Sequence, residues 1–102
     1  MLCQGGAVSP KVSILLPAFD AAETLAAALR SIQRQTETSW ECVVVDDGSR
    51  DATLEVAQRW ARADARFRIV ASPHLGIVSA LTIGLTECRA PLVARMDADD
   101  LM

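Results

Sequence analysis

Val12-Ser13-Ile14-Leu15-Leu16-Pro17-Ala18-Phe19-Asp20 sets a pattern that the rest of the chain repeats. An apolar run of this length, closed by a proline, predicts a buried strand over 12–16 that ends at Pro17. Asp20 then precedes a helical stretch, with Glu23 at capping-box spacing and Leu25, Leu29 and Ile32 on one helical face. Glu41 to Val45 is a second strand, Asp46-Asp47-Gly48-Ser49 a turn, and Asp51 an N-cap for a helix carrying Leu54, Ala57 and Trp60. Phe67 to Ala71 is a third, broken by Ser72-Pro73-His74-Leu75-Gly76 before a helix with Val78, Leu81 and Leu85 on one side. Pro91 ends that helix, and Leu92 to Met96 forms a fourth strand. Helical crossovers of this length imply an α/β fold of about four mostly parallel strands with helices on both faces.

A chain of 102 residues has room for one small domain or part of a larger one. Its 51% hydrophobic and 23% charged residues suffice for a packed core. A net charge of -3 gives no footprint for nucleic acid or an anionic membrane surface. No apolar stretch approaches the roughly 20 residues that span a bilayer, so a soluble, cytoplasmic chain is expected. In a longer parent protein, the cytoplasmic face of the membrane is the alternative location. Residues 1–10 read as a flexible leader and 11–102 as the folded domain. Cys3, Cys42 and Cys88 are widely spaced and odd in number, which predicts reduced thiols, with Cys42 a small buried hydrophobe.

Parallel strands place all their C-terminal ends along one sheet edge, where ligands bind. Pro17 to Asp20, Asp46 to Ser49 and Asp97 to Asp100 each follow a strand and are expected to converge there. Asp97-Ala98-Asp99-Asp100 is the densest of these. Side chains two apart on extended backbone point the same way, so Asp97 and Asp99 face one space with only Ala98 between them. Two like charges at about 4 Å cost roughly 4 kcal/mol at an effective dielectric of about 20, and a hard cation would reverse that repulsion. Taken alone, Asp46-Asp47-Gly48-Ser49 also reads as a structural turn, Asp20 as an N-cap and the terminal acids as solvated groups.

The ordered series of Val12 to Asp20, Val43-Val44-Val45-Asp46-Asp47-Gly48-Ser49 and Ala94-Arg95-Met96-Asp97-Ala98-Asp99-Asp100 resembles family 2 glycosyltransferases of the GT-A fold, a Rossmann-like architecture. Ser31-Ile32 with Gln35-Thr36, and Gly76 with Ala80 and Gly84, are similar to the family's first and third helices. The resemblance implies transfer of a sugar from a nucleotide-diphosphate sugar, a UDP-sugar by expectation, to an unknown acceptor, with Mg or Mn at a DxD motif. Pro17, Phe19, Asp20, Asp46, Asp47, Ser49, Gly76 and Asp97 would bind the nucleotide sugar, and Asp97 and Asp99 the metal. Asp47 would accept from a base N–H, Asp46 brace the turn, Ser49 cap the helix, and Asp100 orient the metal ligands.

Phe19-Asp20 replaces the family's common Tyr-Asn, Pro73-His74-Leu75-Gly76 its Asn-Gly-Gly segment, and Leu81-Thr82 its Arg-Asn. The family's acceptor half and catalytic base lie downstream of DxD, so an inverting displacement is implied only for a longer parent. His74 reads as a plain loop residue, because no Cys or second His gives it metal spacing. Trp40 and Trp60 are expected against the sheet, Arg59, Arg62, Arg66 and Arg68 on solvated edges, and Arg95 beside a carboxylate or phosphate. Two other functions compete: a non-catalytic nucleotide-binding or interaction fragment, and a Mg-dependent phosphotransfer domain. The latter puts its key acids after the first strand, where this chain has Pro17-Ala18-Phe19-Asp20. A dinucleotide-binding domain is disfavoured because no G-x-G-x-x-G follows that strand. Self-association through exposed apolar surface is also expected.

Overall fold

The computed structural model describes residues 10–35 and 39–99. Cys3, Asp100 and nearly all of the expected leader lie outside the described residues. In chain order the elements are β1 (Val12–Ala18), α1 (Ala22–Gln33), β2 (Trp40–Asp47), α2 (Thr53–Ala63), β3 (Phe67–Ser72), α3 (Ile77–Glu87) and β4 (Leu92–Arg95). The strands form one parallel sheet in the order β3-β2-β1-β4. The chain steps outward from β1 to β3, then crosses to pair β4 with the other side of β1. The reversal creates a crevice beyond the C-terminal ends of β1 and β4, the usual ligand position in open parallel sheets. Among the described residues no helix is long and apolar enough to cross a membrane.

Both faces of the central strands are buried, which is why their sequences are nearly continuous apolar runs. On one face Ile14, Leu16, Cys42 and Val44 pack against Leu25, Ala28, Leu29 and Ile32 of α1 and Ala57 of α2. Trp60 and Trp40 meet Phe67 edge-on, at centroid distances of 5.9 and 5.2 Å. On the other face Leu15, Val43 and Val45 pack against Ala80 of α3. Burial pushes the Cys42 thiol up, in keeping with an inert core residue.

Several local expectations need correction. β1 does not stop at Pro17 but continues to Ala18, with Pro17 opposite Val45. Met96 N–H donates to the Leu15 carbonyl, so Leu15 and, by alternation, Pro17 face β4. Pairing with β4 ends at Leu15 and Arg95, so the missing N–H of Pro17 costs no ladder bond. β2 likewise runs through Asp46 and Asp47, which are strand residues rather than a turn. Asp51 accepts the N–H of Thr53, the first residue of α2, but stands one residue before the formal N-cap, Ala52. In α2 the packed face is Val56, Ala57 and Trp60, and Leu54 is half-buried outside that cluster. In α3 the buried residues are Ala80 and Gly84, while Val78 is 74% and Leu85 53% exposed. A Cβ on Gly84 would stand 2.1 Å from Leu15 Cδ1 and 3.0 Å from Val45 Cγ2. The strands' own side chains fill this interface, so the helix presents Ala80 and Gly84 at its centre, flanked by half-buried Leu81 and Ile83, and turns Ile77, Val78 and Leu85 outward.

At the N-terminal sheet edge, buried Glu41 joins three strands to the crossover. Ser13 Oγ–H, Arg89 N–H and Nε, and Arg68 Nη1 donate to its carboxylate, while Ala90 N–H donates to Ser13 Oγ. Arg68 also reaches the Glu87 carbonyl and carboxylate. Arg66 lies 4.1 Å from the Trp40 ring centroid and pairs with Asp64. Arg66 and Arg68 are therefore structural partners rather than solvated edge groups.

Gly84→Val is expected to destabilise the fold by about 1–3 kcal/mol through overpacking, measured by urea denaturation. A change within about 0.5 kcal/mol would contradict that tight contact. Burial raises the pKa of Glu41, but the hydrogen bonds from Ser13, Arg89 and Arg68 outweigh it and hold the carboxyl below its ordinary value of 4.5. Its stabilisation is therefore fully present above that pH and lost as pH falls through the depressed folded value. Glu41→Gln should be clearly less stable than wild type at neutral pH, with the gap closing as pH falls below the ordinary carboxyl value of 4.5 and through the depressed folded one. A gap independent of pH would contradict the charged network.

Candidate functional site

Four loops meet at the C-terminal sheet edge, each set by a strand's last residues. Asp20 closes β1 in the left-handed region at φ 49°, a conformation aspartate tolerates better than most residues. It is not the N-cap of α1. Its N–H donates to Ser49 Oγ, and its carboxylate accepts the Arg50 N–H at 2.8 Å and the guanidinium at 2.6 Å. The Arg50 N–H, then its guanidinium, hold the Asp20 carboxyl below the usual range. Ser49 consequently receives a bond from the β1–α1 loop instead of capping α2. The start of α1 is satisfied across the loops: Ala21 N–H donates to Thr53 Oγ1 at 2.7 Å and Ala22 N–H to Asp51 Oδ2 at 3.3 Å.

Strand alternation sends the two acids of β2 to opposite faces. Asp46 turns toward α1 and α2, is 3% exposed, and its Oδ1 has no hydrogen-bond partner. The expected bracing role is not visible in its bonding. Asp47 turns toward α3 and is 4% exposed. Its Oδ1 accepts Leu75 N–H at 3.0 Å and its Oδ2 accepts Gly76 N–H at 3.1 Å, so this carboxylate anchors the β3–α3 loop. Gly76, at φ 98°, turns the chain into α3. Gly48, at φ 70°, lies so close to this loop that a Cβ would stand 2.6 Å from His74 N.

His74 lies in the β3–α3 loop, as expected, and its side chain also lines the cavity there. Its ring stacks on Phe19 at 4.3 Å between centroids and 22° between planes, and its Nδ1 lies 3.2 Å from Asp47 Oδ2. Arg50 sits 5.4 Å from the Phe19 centroid on the same loop cluster. The available signal was positional: His74 follows the third strand as Asp20 and Ser49 follow the first two.

Beyond β4, Met96 and Ala98 are buried in the α1–α2 core while Asp97 and Asp99 are exposed. A cavity of about 230 Å³ is lined by Pro17, Phe19, Asp47, His74, Gly76 and Asp97, together with Ala18, Ile77 and Ala80. A second cavity, about 370 Å³, shares Pro17 and Phe19 and adds Asp20, Ala21, Thr24, Ala98 and Asp99. Asp97 and Asp99 thus line adjoining cavities at one crevice, rather than the same cavity. Arg95 Nη2 lies 3.2 Å from Asp97 Oδ1, as its placement beside a carboxylate anticipated. Among the described residues no three His, Cys, Asp or Glu side chains form a metal cage. A larger cavity, about 440 Å³, lies at the opposite sheet edge beside Trp40, Arg66 and Arg89. Its two guanidinium groups already pair with Asp64 and Glu41, and none of the four loops reaches it.

The glycosyl transferase family 2 model matches residues 13–102. An uncharacterized glycosyltransferase of Haemophilus influenzae is 36% identical over 93 residues, covering 90% of this chain and 29% of that protein. The mannosyltransferase PcManGT of Pyrobaculum calidifontis, solved with GDP-Man and Mn2+, superposes with a TM-score of 0.84 at 28% identity, over 92% of this chain and 29% of its own. S. aureus TarS, solved with UDP, gives 0.81 at 25% identity, over 89% of this chain and 28% of its own. The chain spans less than a third of the length of these proteins. Its parallel α/β sheet is the Rossmann-like GT-A half shared with these structures, and the chain belongs to glycosyl transferase family 2.

Proposed function

We propose that this chain is the donor-binding part of a glycosyltransferase that moves a sugar from a nucleotide-diphosphate sugar, a UDP-sugar, to an acceptor, with Mg or Mn as cofactor. The observation that carries this reading is the meeting of the β1–α1, β2–α2, β3–α3 and post-β4 segments around one crevice between β1 and β4. Phe19 and the aliphatic wall of Pro17, Ile77 and Ala80 suit the faces of a base. Pro17, Asp47, Gly76 and Asp97 border that space, Asp20 borders the adjoining cavity, and Asp20, Ser49 and Asp47 tie the loops around it, while Asp46 lies buried on the far face of β2.

Exposed carboxylates at Asp97 and Asp99 are hard oxygen donors of the kind Mg and Mn take. Two carboxylates make an incomplete cage, and the oxygens of a diphosphate would supply further ligands. Asp97 and Asp99 would hold such a cation, and the chemistry it would supply there is electrostatic stabilisation of the nucleoside diphosphate leaving group. The protein's own part is to hold the base against Phe19, fix the loop through Asp47 and aim Asp97 and Asp99 at the phosphates. The relatives solved with GDP-Man and Mn2+ and with UDP support this assignment. Membership of family 2 removes the phosphotransfer alternative.

Calorimetric titration should show UDP binding at least about tenfold more tightly with Mn2+ than without, a difference near 1.4 kcal/mol. Asp99→Ala should bring the two affinities together at the weaker value. Equal UDP affinity with and without Mn2+ in the folded wild type would contradict a metal-bridged diphosphate.

A further inference from the structure

One nitrogen of His74 is enclosed by acceptors. Nδ1 lies 3.1 Å from the Asp47 carbonyl oxygen and 3.2 Å from Asp47 Oδ2. Neither atom has a hydrogen to give, so Nδ1 carries it. In the neutral ring Nε2 is then an acceptor, and it has no hydrogen-bond partner among the described residues. The ring cannot swing freely, because Nδ1 is bonded to Asp47 and one face is stacked on Phe19. The imidazole side chain is 58% exposed on the cavity wall, whereas the Asp47 side chain beneath it is 6% exposed. Each Asp47 oxygen already receives a backbone N–H from Leu75 or Gly76.

We propose that His74 Nε2 reads the nucleobase, accepting a hydrogen bond from a ring N–H such as the imide of a uracil-type base. Asp47 acts behind it as a positioning residue that sets the tautomer and holds the loop. This assignment rests on the cavity's being a nucleoside pocket. It places base recognition one residue removed from the carboxylate that the sequence pattern singles out. Uracil and cytosine have similar size and stacking area but differ at N3, where uracil donates and cytosine carries a lone pair. Against Nε2 the first makes a bond, and the second sets lone pair against lone pair. Sites built around a specific hydrogen bond reject the analogue that lacks its partner more strongly than apolar pockets reject a change of size.

The test is titration of UDP and of CDP, each with Mn2+, into wild type, His74→Asn and His74→Phe. Asparagine keeps a short-range N–H donor for Asp47 and removes the Nε2 acceptor; phenylalanine keeps the stack on Phe19 and removes both nitrogens. Wild type should bind UDP about tenfold or more tightly than CDP, the worth of about one well-formed hydrogen bond. In either folded variant, confirmed by thermal melting, UDP should weaken and CDP should bind no worse than to wild type, bringing the ratio below about threefold. A UDP preference that survives in the folded variants, or a wild type that prefers CDP, would overturn the role of His74 and leave the nucleotide site standing. Failure of folded wild type to bind UDP, CDP or GDP would overturn the nucleoside pocket itself, and this role with it.

Discussion

A parallel sheet covered on both faces has to bring every strand out at the same edge, and this constraint governs the whole molecule. Buried strands leave no polar side chains over their middle stretches, as Leu15, Leu16, Val43, Val44 and Val45 show. Polar chemistry is pushed to the two ends, and the ends have divided the work. At the N-terminal edge Glu41, Ser13, Arg68 and Arg89 form a closed network that ties the α3–β4 crossover to the sheet. At the C-terminal edge the acids sit in loops beside open cavities.

Those loops are tied together because they cap one another. The first backbone donors of α1 are satisfied from the β2–α2 loop, through Thr53 and Asp51. Asp20 returns the connection by holding Arg50. Asp47 reaches in the other direction, to Leu75 and Gly76. A bridge therefore runs from the β1–α1 loop through β2 to the β3–α3 loop, and Phe19 stacked on His74 closes it across the cavity. A ligand site supported this way is preorganised, which lowers the ordering cost of binding.

The alternation of strands and helices was legible because buried strands and amphipathic helices leave different periodicities, and α1 packs as Leu25, Leu29 and Ile32 predict. The misreadings share a physical cause, since each depended on a partner remote in sequence. Pro17 looks like a strand breaker until the side its N–H would face is known. The inner face of α3 is hidden because the helix is apolar nearly all round, and only contact with Leu15 and Val45 selects Gly84 and Ala80. A local rule assigns the α1 cap to Asp20, whereas the groups that satisfy it come from the next loop. Asp46 and Asp47 are adjacent in the chain yet face opposite layers. The acids of the site were visible as residue types after strands. The part played by His74 was not, because both Phe19 and Asp47 reach it only through the fold.

The proposed function puts a nucleoside diphosphate and its metal in the crevice between β1 and β4. The most direct measurement is the amide NMR spectrum of the chain with UDP as Mn2+ is added, since the paramagnetic ion broadens resonances near it. Broadening is expected to centre on Asp97 to Asp99 and on Phe19 and Asp20, to depend on UDP, and to spare Arg66 and Arg89 at the opposite edge. Broadening centred on that opposite edge, or spread over surface carboxylates whether or not UDP is present, would contradict that placement.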